Sequence, residues 1–217
     1  MKSYLALNMA YDLAEGTDVC GLWPVKGGPK RVLLIEQECG QDELQRRAGK
    51  IHAWRAGQWA SENLWLVSKD LDCVLDTDHG MELIQKHVNK SQAQIVVFDP
   101  LSWFHSKNGN DNDDMKWLMR RMLKWQQEKN LASIMTHHCG KPSDWRSGNG
   151  TDINSIKGAS AVQEAASSVC GISRPTASNT IIRLDFTFRH APNPKRPVKL
   201  QFKEEGEAGE GTFELMP

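Results

Sequence analysis

The sequence predicts an α/β fold with a mostly parallel sheet, on three observations. Short apolar runs at residues 31–35 (RVLLI), 64–67, 94–98 (QIVVF) and 131–136 suit strands covered on both faces. Between them lie stretches whose apolar residues recur at helical spacing. The two kinds alternate at the interval of βαβ units, whose right-handed crossovers build a parallel sheet between helix layers.

Residues 3–15 place Ala6, Met9, Ala10, Leu13 and Ala14 at i, i+3, i+4, i+7 and i+8, a one-stripe helix ending at Gly16. The RVLLI strand follows the turn-rich Lys26-Gly27-Gly28-Pro29. A second helix over 41–56 carries Leu44, Ala48 and Ile51 on one face, and a third over 78–89 carries Met81, Ile84 and Val88. After QIVVF comes a polar loop, 106–114. The next helix buries Met115, Leu118, Met119 and Met122, with Asp113 and Asp114 at the positive end of its dipole. Residues 142–157 have no period and read as a long exposed loop. Strands at 169–173, 180–188, 198–202 and 212–215, joined by Pro, Asn and Gly turns, form an antiparallel meander. One domain over 1–217 is expected, with an α/β core to 141, the loop, and a β-rich part from 158.

At 217 residues the chain can bury one sizeable core. Lys plus Arg and Asp plus Glu number 27 each, so no bulk positive field draws it onto nucleic acid or an anionic membrane. Nucleic-acid contact must come from a local patch. No apolar run approaches the roughly 20 residues of a membrane span, and Met1 precedes an amphipathic segment, not a signal core; a cytoplasmic location is expected. Cys20, Cys39, Cys73, Cys139 and Cys170 are odd in number and lack a C-x-x-C pair, so free thiols are expected.

In parallel sheets ligands gather at the carboxyl ends of strands. There the sequence places Glu36-Gln37-Glu38, Asp99-Pro100 and His137-His138. A carboxylate can hold hydrated Mg²⁺ and a glutamate can polarise a water for attack on a phosphoryl group. Singly, each has an ordinary reading: a capping Asp, a solvated Glu, a structural His. Their order along the chain favours chemistry. Met1-Lys2-Ser3 leading into a helix matches the end of the phosphate-loop pattern G-x-x-x-x-G-K-S/T.

Six segments in order then carry a resemblance: KSYLALNMAYDLAEG (2–16), VLLIEQE with ELQRR (32–38, 43–47), IVVFDPLS (95–102), NDNDDM (110–115), THHCGK (136–141) and KGASAVQEAASSV (157–169). The chain resembles RecA-like ATPases of the DnaB and RepA hexameric-helicase type. The resemblance implies a three-layer α/β/α sandwich, ATP and Mg²⁺ as ligands, and a ring or filament of like subunits. It makes Lys2 the phosphate lysine, Ser3 and Asp99 the magnesium residues, Glu38 the water-activating base and His138 a γ-phosphate sensor. Lys157 and Arg189 are the candidates for a finger reaching a neighbouring subunit; the family commonly has Arg at the first and Lys-x-Arg where Thr187-Phe188-Arg189 stands. The motif's second glycine corresponds to Met1, and neither the rest of the loop nor its preceding strand is among these residues. Backbone amides of that loop supply most of the phosphate cradle, so little or no ATPase activity is expected of the 217 residues alone, read as a truncation or as a cradle completed by another segment. Removing the loop's strand is expected to leave two neighbouring strands with unpaired edges.

The two loops that line the channel in hexameric relatives are the nucleic-acid candidates. The first carries Asp111, Asp113 and Asp114 against Lys107 and suits phosphates poorly. The second region offers Lys141, Trp145, Arg146 and Lys157, which could stack on a base and meet phosphates, or be an ordinary surface loop. The expected function is ATP-driven handling of single- or double-stranded DNA, of helicase or recombination type. One alternative is a non-hydrolysing DNA-binding or assembly subunit of the same fold. Another is a metal-dependent phosphodiesterase or nuclease using Glu36, Glu38, Asp99 and His138. The nucleotide reading requires Ser3, Glu38, Asp99 and His138 to meet at one rim of one sheet.

Overall fold

Five consecutive buried residues, Val32–Glu36, form strand β1 at the centre of the parallel sheet. The computed structural model describes residues 1–55, 62–138, 159–174, 180–194, 196–204 and 206–216. Strand β1 pairs in parallel with β2 (Leu64–Ser68) on one side and β3 (Ile95–Asp99) on the other, and β3 pairs with β4 (Ala132–Met135). The order is β2-β1-β3-β4. Side chains alternate across a strand, so Val32 and Leu34 join one apolar cluster and Leu33 and Ile35 another. That alternation produces the layers. Helices α1 (Lys2–Glu15) and α2 (Gln41–Trp54) cover the first face, while α3 (Asp78–Ser91) and α4 (Asn112–Lys129) cover the second.

The helix boundaries follow from their caps. Helix α1 stops at Gly16, whose φ of 74° is left-handed and whose Cβ, if present, would lie 2.8 Å from the Pro29 nitrogen. The Thr77 hydroxyl oxygen accepts from the Gly80 amide at the start of α3. Asp111 accepts from the amides of Asp113 and Asp114 at the start of α4, so one acid of the 106–114 loop is a helix cap.

A short helix, α5 (Ala159–Ala165), precedes four antiparallel strands: β5 (Ser168–Ser173), β6 (Ile181–Phe188), β7 (Val198–Phe202) and β8 (Phe213–Leu215). The sequence pattern misses α5, because seven residues rich in Ala show too little period. Its Ala161 and Val162 are buried in the cluster that contains α4, and the Ser160 hydroxyl donates to Asn112 Oδ1 at 2.7 Å. Among the described residues the strands form two separate sheets, with β4 and β5 each at an edge. Helix α1 joins them: Ala6, Leu7, Ala10 and Tyr11 pack with the parallel sheet, and Leu5 with Ile182, Leu184 and Leu200 of the antiparallel one.

Cys20, Cys39, Cys73 and Cys170 are free thiols, while Cys139 and the 142–157 loop lie outside the described residues. No described helix is long and apolar enough to cross a membrane. Leu5→Ala should remove the apolar contact between α1 and the second sheet. The expected cost is about 2–5 kcal/mol, read as a lower urea midpoint at unchanged slope; a loss under about 0.5 kcal/mol would show that Leu5 does not join the sheets.

Candidate functional site

The carboxyl ends of β1 and β3 lie side by side because Glu36 and Asp99 are register partners. Asp99 is 1 % exposed and Glu36 2 %. A buried carboxylate needs donors, and the two satisfy this need differently. Glu36 accepts from the Glu38 amide at 2.9 Å, from the Cys39 amide at 2.8 and 2.9 Å, and from the Cys39 thiol at 2.8 Å. It therefore anchors the turn after β1 and leaves the Glu38 side chain exposed at the rim. Burial, and then the bond to Glu36, push the Cys39 thiol up to about 12, so it stays a donor at neutral pH. Asp99 Oδ1 accepts from the Thr136 hydroxyl, whereas Oδ2 is buried with no hydrogen-bond partner among the described residues.

Strand β4 brings the third element. The Thr136 amide donates to Phe98 O at 3.0 Å and the Leu101 amide to Thr136 O at 2.8 Å, which clamps the start of 136–138 against the end of β3. The Asp99–Pro100 peptide bond is cis. Lys2 Nζ donates to His137 O at 3.3 Å, so the start of α1 meets the segment after β4. Ser3 is half-buried on the same turn of α1, and the His138 side chain is exposed.

The N-terminus of α1 is suited to an anion. No side chain caps it and its first turn holds no acid. Burial, and then the charges of Arg174, Arg47 and Lys2, lower the pKa of the Met1 ammonium at this end, while Asp99 acts in the opposite sense. Arg47 is held by Glu43 at 2.7 Å and lies over the Tyr4 ring at 4.9 Å. Four elements thus converge on one rim: the start of α1 and the ends of β1, β3 and β4.

Of the residues singled out from sequence, Lys2, Ser3, Glu38, Asp99 and His138 come to this rim. Thr136, Gln37, Arg47 and Arg174 were missed as site residues. Gln37 is 1 % exposed; its amide donates to Asp99 O at 2.9 Å and its side chain to Asp70 O. Arg47 stood within the ELQRR segment, but nothing local marks Arg174. Arg189 is exposed and its guanidinium donates to Glu164 O at the end of α5, a tether within its own subunit. Lys141, Trp145, Arg146 and Lys157 lie outside the described residues.

A profile described as "AAA domain" matches residues 1–144. No curated protein matches the chain by sequence. Among solved structures, the ATPase domain of G40P is similar with a TM-score of 0.61 at 17% identity, over 87% of this chain and 75% of that one. The crystal structure of a KaiC-like protein from the hyperthermophilic archaeon Pyrococcus horikoshii OT3 is similar with a TM-score of 0.58 at 11% identity, over 100% of this chain and 84% of that one. Likeness at these identities is one of fold, and the fold is RecA-like α/β.

Two measurements test this geometry. Thr136→Val removes the donor to a buried carboxylate and should cost about 1–3 kcal/mol at pH 7, with Thr136→Ser near wild type by urea denaturation. The Arg46 and Arg47 bonds hold the Glu43 carboxyl down to about 2. Its folded value is depressed, so its contribution is present above the ordinary carboxylate range and is lost as pH falls towards 2. Glu43→Gln should therefore be slightly less stable than wild type at pH 7, the pair being partly solvated, with the difference nearly gone by pH 2.

Proposed function

This chain belongs to the AAA domain family, and on that premise we propose that the rim formed by α1, β1, β3 and β4 is an ATP site coupled to DNA handling of the helicase or recombination type. The observation that carries the reading is the pairing of a helix N-terminus that has no acid in its first turn with a buried carboxylate whose Oδ2 has no partner among the described residues.

The residues present fit a magnesium nucleotide. Lys2 would neutralise the terminal phosphates from the first turn of α1, whose free amides favour an anion. The Ser3 hydroxyl and Asp99 Oδ2 would hold the hydrated Mg²⁺, which draws charge from the phosphate oxygens. Glu38, exposed and anchored through its amide, would orient the attacking water and take its proton. His138 would contact the γ-phosphate, and Arg189 or Lys157 would reach a neighbouring copy. Release of the Arg189 tether to Glu164 would have to precede that reach. DNA contact would fall to Lys141, Trp145 and Arg146.

Glu36 weighs against the nuclease alternative, since three donors already occupy the carboxylate that a metal would need. Binding of a fluorescent ATP analogue separates the remaining readings. Magnesium-dependent binding is expected, lost in Lys2→Ala and Asp99→Asn, and turnover should fall about 10²-fold or more in Glu38→Gln. Analogue binding unchanged by Lys2→Ala and Asp99→Asn would remove the ATP reading. DNA cleavage with Mn²⁺ and no nucleotide would favour the nuclease.

A further inference from the structure

A second cluster of ligand-type side chains stands beside the nucleotide rim, and the proposed ATP chemistry does not use it. Asp70, Cys73 and His87 each present one ligand atom, all within 4.8 Å of one another. His87 Nε2 lies 2.8 Å from Asp70 Oδ2. Cys73 is fully buried, and Asp70 and His87 are half-buried.

The backbone builds this cluster from two directions. The chain leaves β2 through Lys69 at φ 49°, and the Cys73 amide donates to Asp70 O at 2.9 Å, folding Asp70-x-x-Cys73 into a tight turn. Helix α3 is seated on the next residue. A Cβ at Gly80 would lie 2.2 Å from Val74 O, so only glycine allows the helix this close, and His87 two turns further on reaches Asp70. Gln37 holds the turn from the other side, donating through its side chain to Asp70 O, and its buried Oε1 has no partner among the described residues.

We propose that Asp70, Cys73 and His87 form a binding site for a divalent transition-metal ion, zinc above all, with the fourth position left to water. A thiolate, an imidazole and a carboxylate on a two-residue spacer and a neighbouring helix are a zinc donor set. With metal–ligand bonds of roughly 2.0–2.3 Å, tetrahedral donors lie about 3.3–3.8 Å apart. The atoms here need shifts below about 1 Å to reach that arrangement, within reach of the half-buried Asp70 and His87. The sulfur selects against Mg²⁺ and Ca²⁺, which take oxygen. On binding, the Cys73 sulfur gives up its proton to solvent and His87 binds through Nε2 with its proton on Nδ1. Without a cation, burial, and then the Asp70 charge, push the Cys73 thiol up to about 12. The site would pin α3 to the turn that Gln37 links to the end of β3.

The test is independent of the ATP reading and uses no nucleotide. The full chain, stripped of metal by a chelator, is titrated with Co²⁺ and followed by absorption. One equivalent should bind with a near-ultraviolet thiolate-to-cobalt charge-transfer band, and Zn²⁺ should displace it. Cys73→Ser should abolish the band. His87→Ala, a change at a half-buried position, should weaken Co²⁺ binding at least about 10-fold, while Cys170→Ser should keep both band and affinity. Absence of the band in the wild-type chain, its survival in Cys73→Ser, or unchanged affinity in His87→Ala would each overturn the proposal. If Cys73→Ser fails to fold by circular dichroism, the wild-type band and His87→Ala decide it.

Discussion

Parallel pairing of β1 with β3 in the register that sets Glu36 opposite Asp99 governs where every other polar group at the rim can lie. Both strands are buried, so neither carboxylate can turn to water, and each must find donors within the protein. Glu36 finds them in the turn that follows it, which fixes the path of residues 37–39 and turns Glu38 outwards. Asp99 finds one in Thr136, which requires β4 to end beside it, and its Oδ2 has no partner among the described residues. The same register places Ser68 next to Glu36, and the Lys69 amide donates to Glu36 O, so the loop after β2 starts from this line as well.

Helix α1 serves two surfaces at once. Its apolar stripe is wide: Ala6, Ala10 and Ala14 allow close approach to Val32, Leu34 and Val97, while Leu5 points to a different set of residues in the antiparallel sheet. Burial against both sheets holds the first turn of α1 in one position relative to β3 and β4. The contact of Lys2 with His137 O depends on that position. The fold and the candidate anion site therefore rest on the same apolar packing.

The charges at the rim are arranged with little waste. Lys2 of α1, Arg47 of α2 and Arg174, the residue after β5, act on the Met1 ammonium, while Glu36 and Asp99 are buried and Glu38 is exposed. Glu43 is committed to Arg46 and Arg47. A net charge of zero thus conceals a local asymmetry that composition cannot register.

The alternation of apolar runs with helical spacing determined the strand and helix order, because burial on one face or two leaves a period that needs no long-range knowledge. Strand-end positions predict where Glu38, Asp99 and His138 lie along the sheet, and the end of the phosphate-loop pattern predicts Lys2 and Ser3 at a helix start. Tertiary structure alone decided what those residues touch. Thr136 and Asp99 are 37 positions apart, Lys2 and His137 are 135 apart, and no local pattern encodes such pairs. It also decided that Glu36 and not Glu38 is buried, that α5 is a helix held by α4, and that Asp70, Cys73 and His87 meet. The physical reason is common to all: periodicity reports which face of an element is buried, whereas partners are set by how separate elements stack.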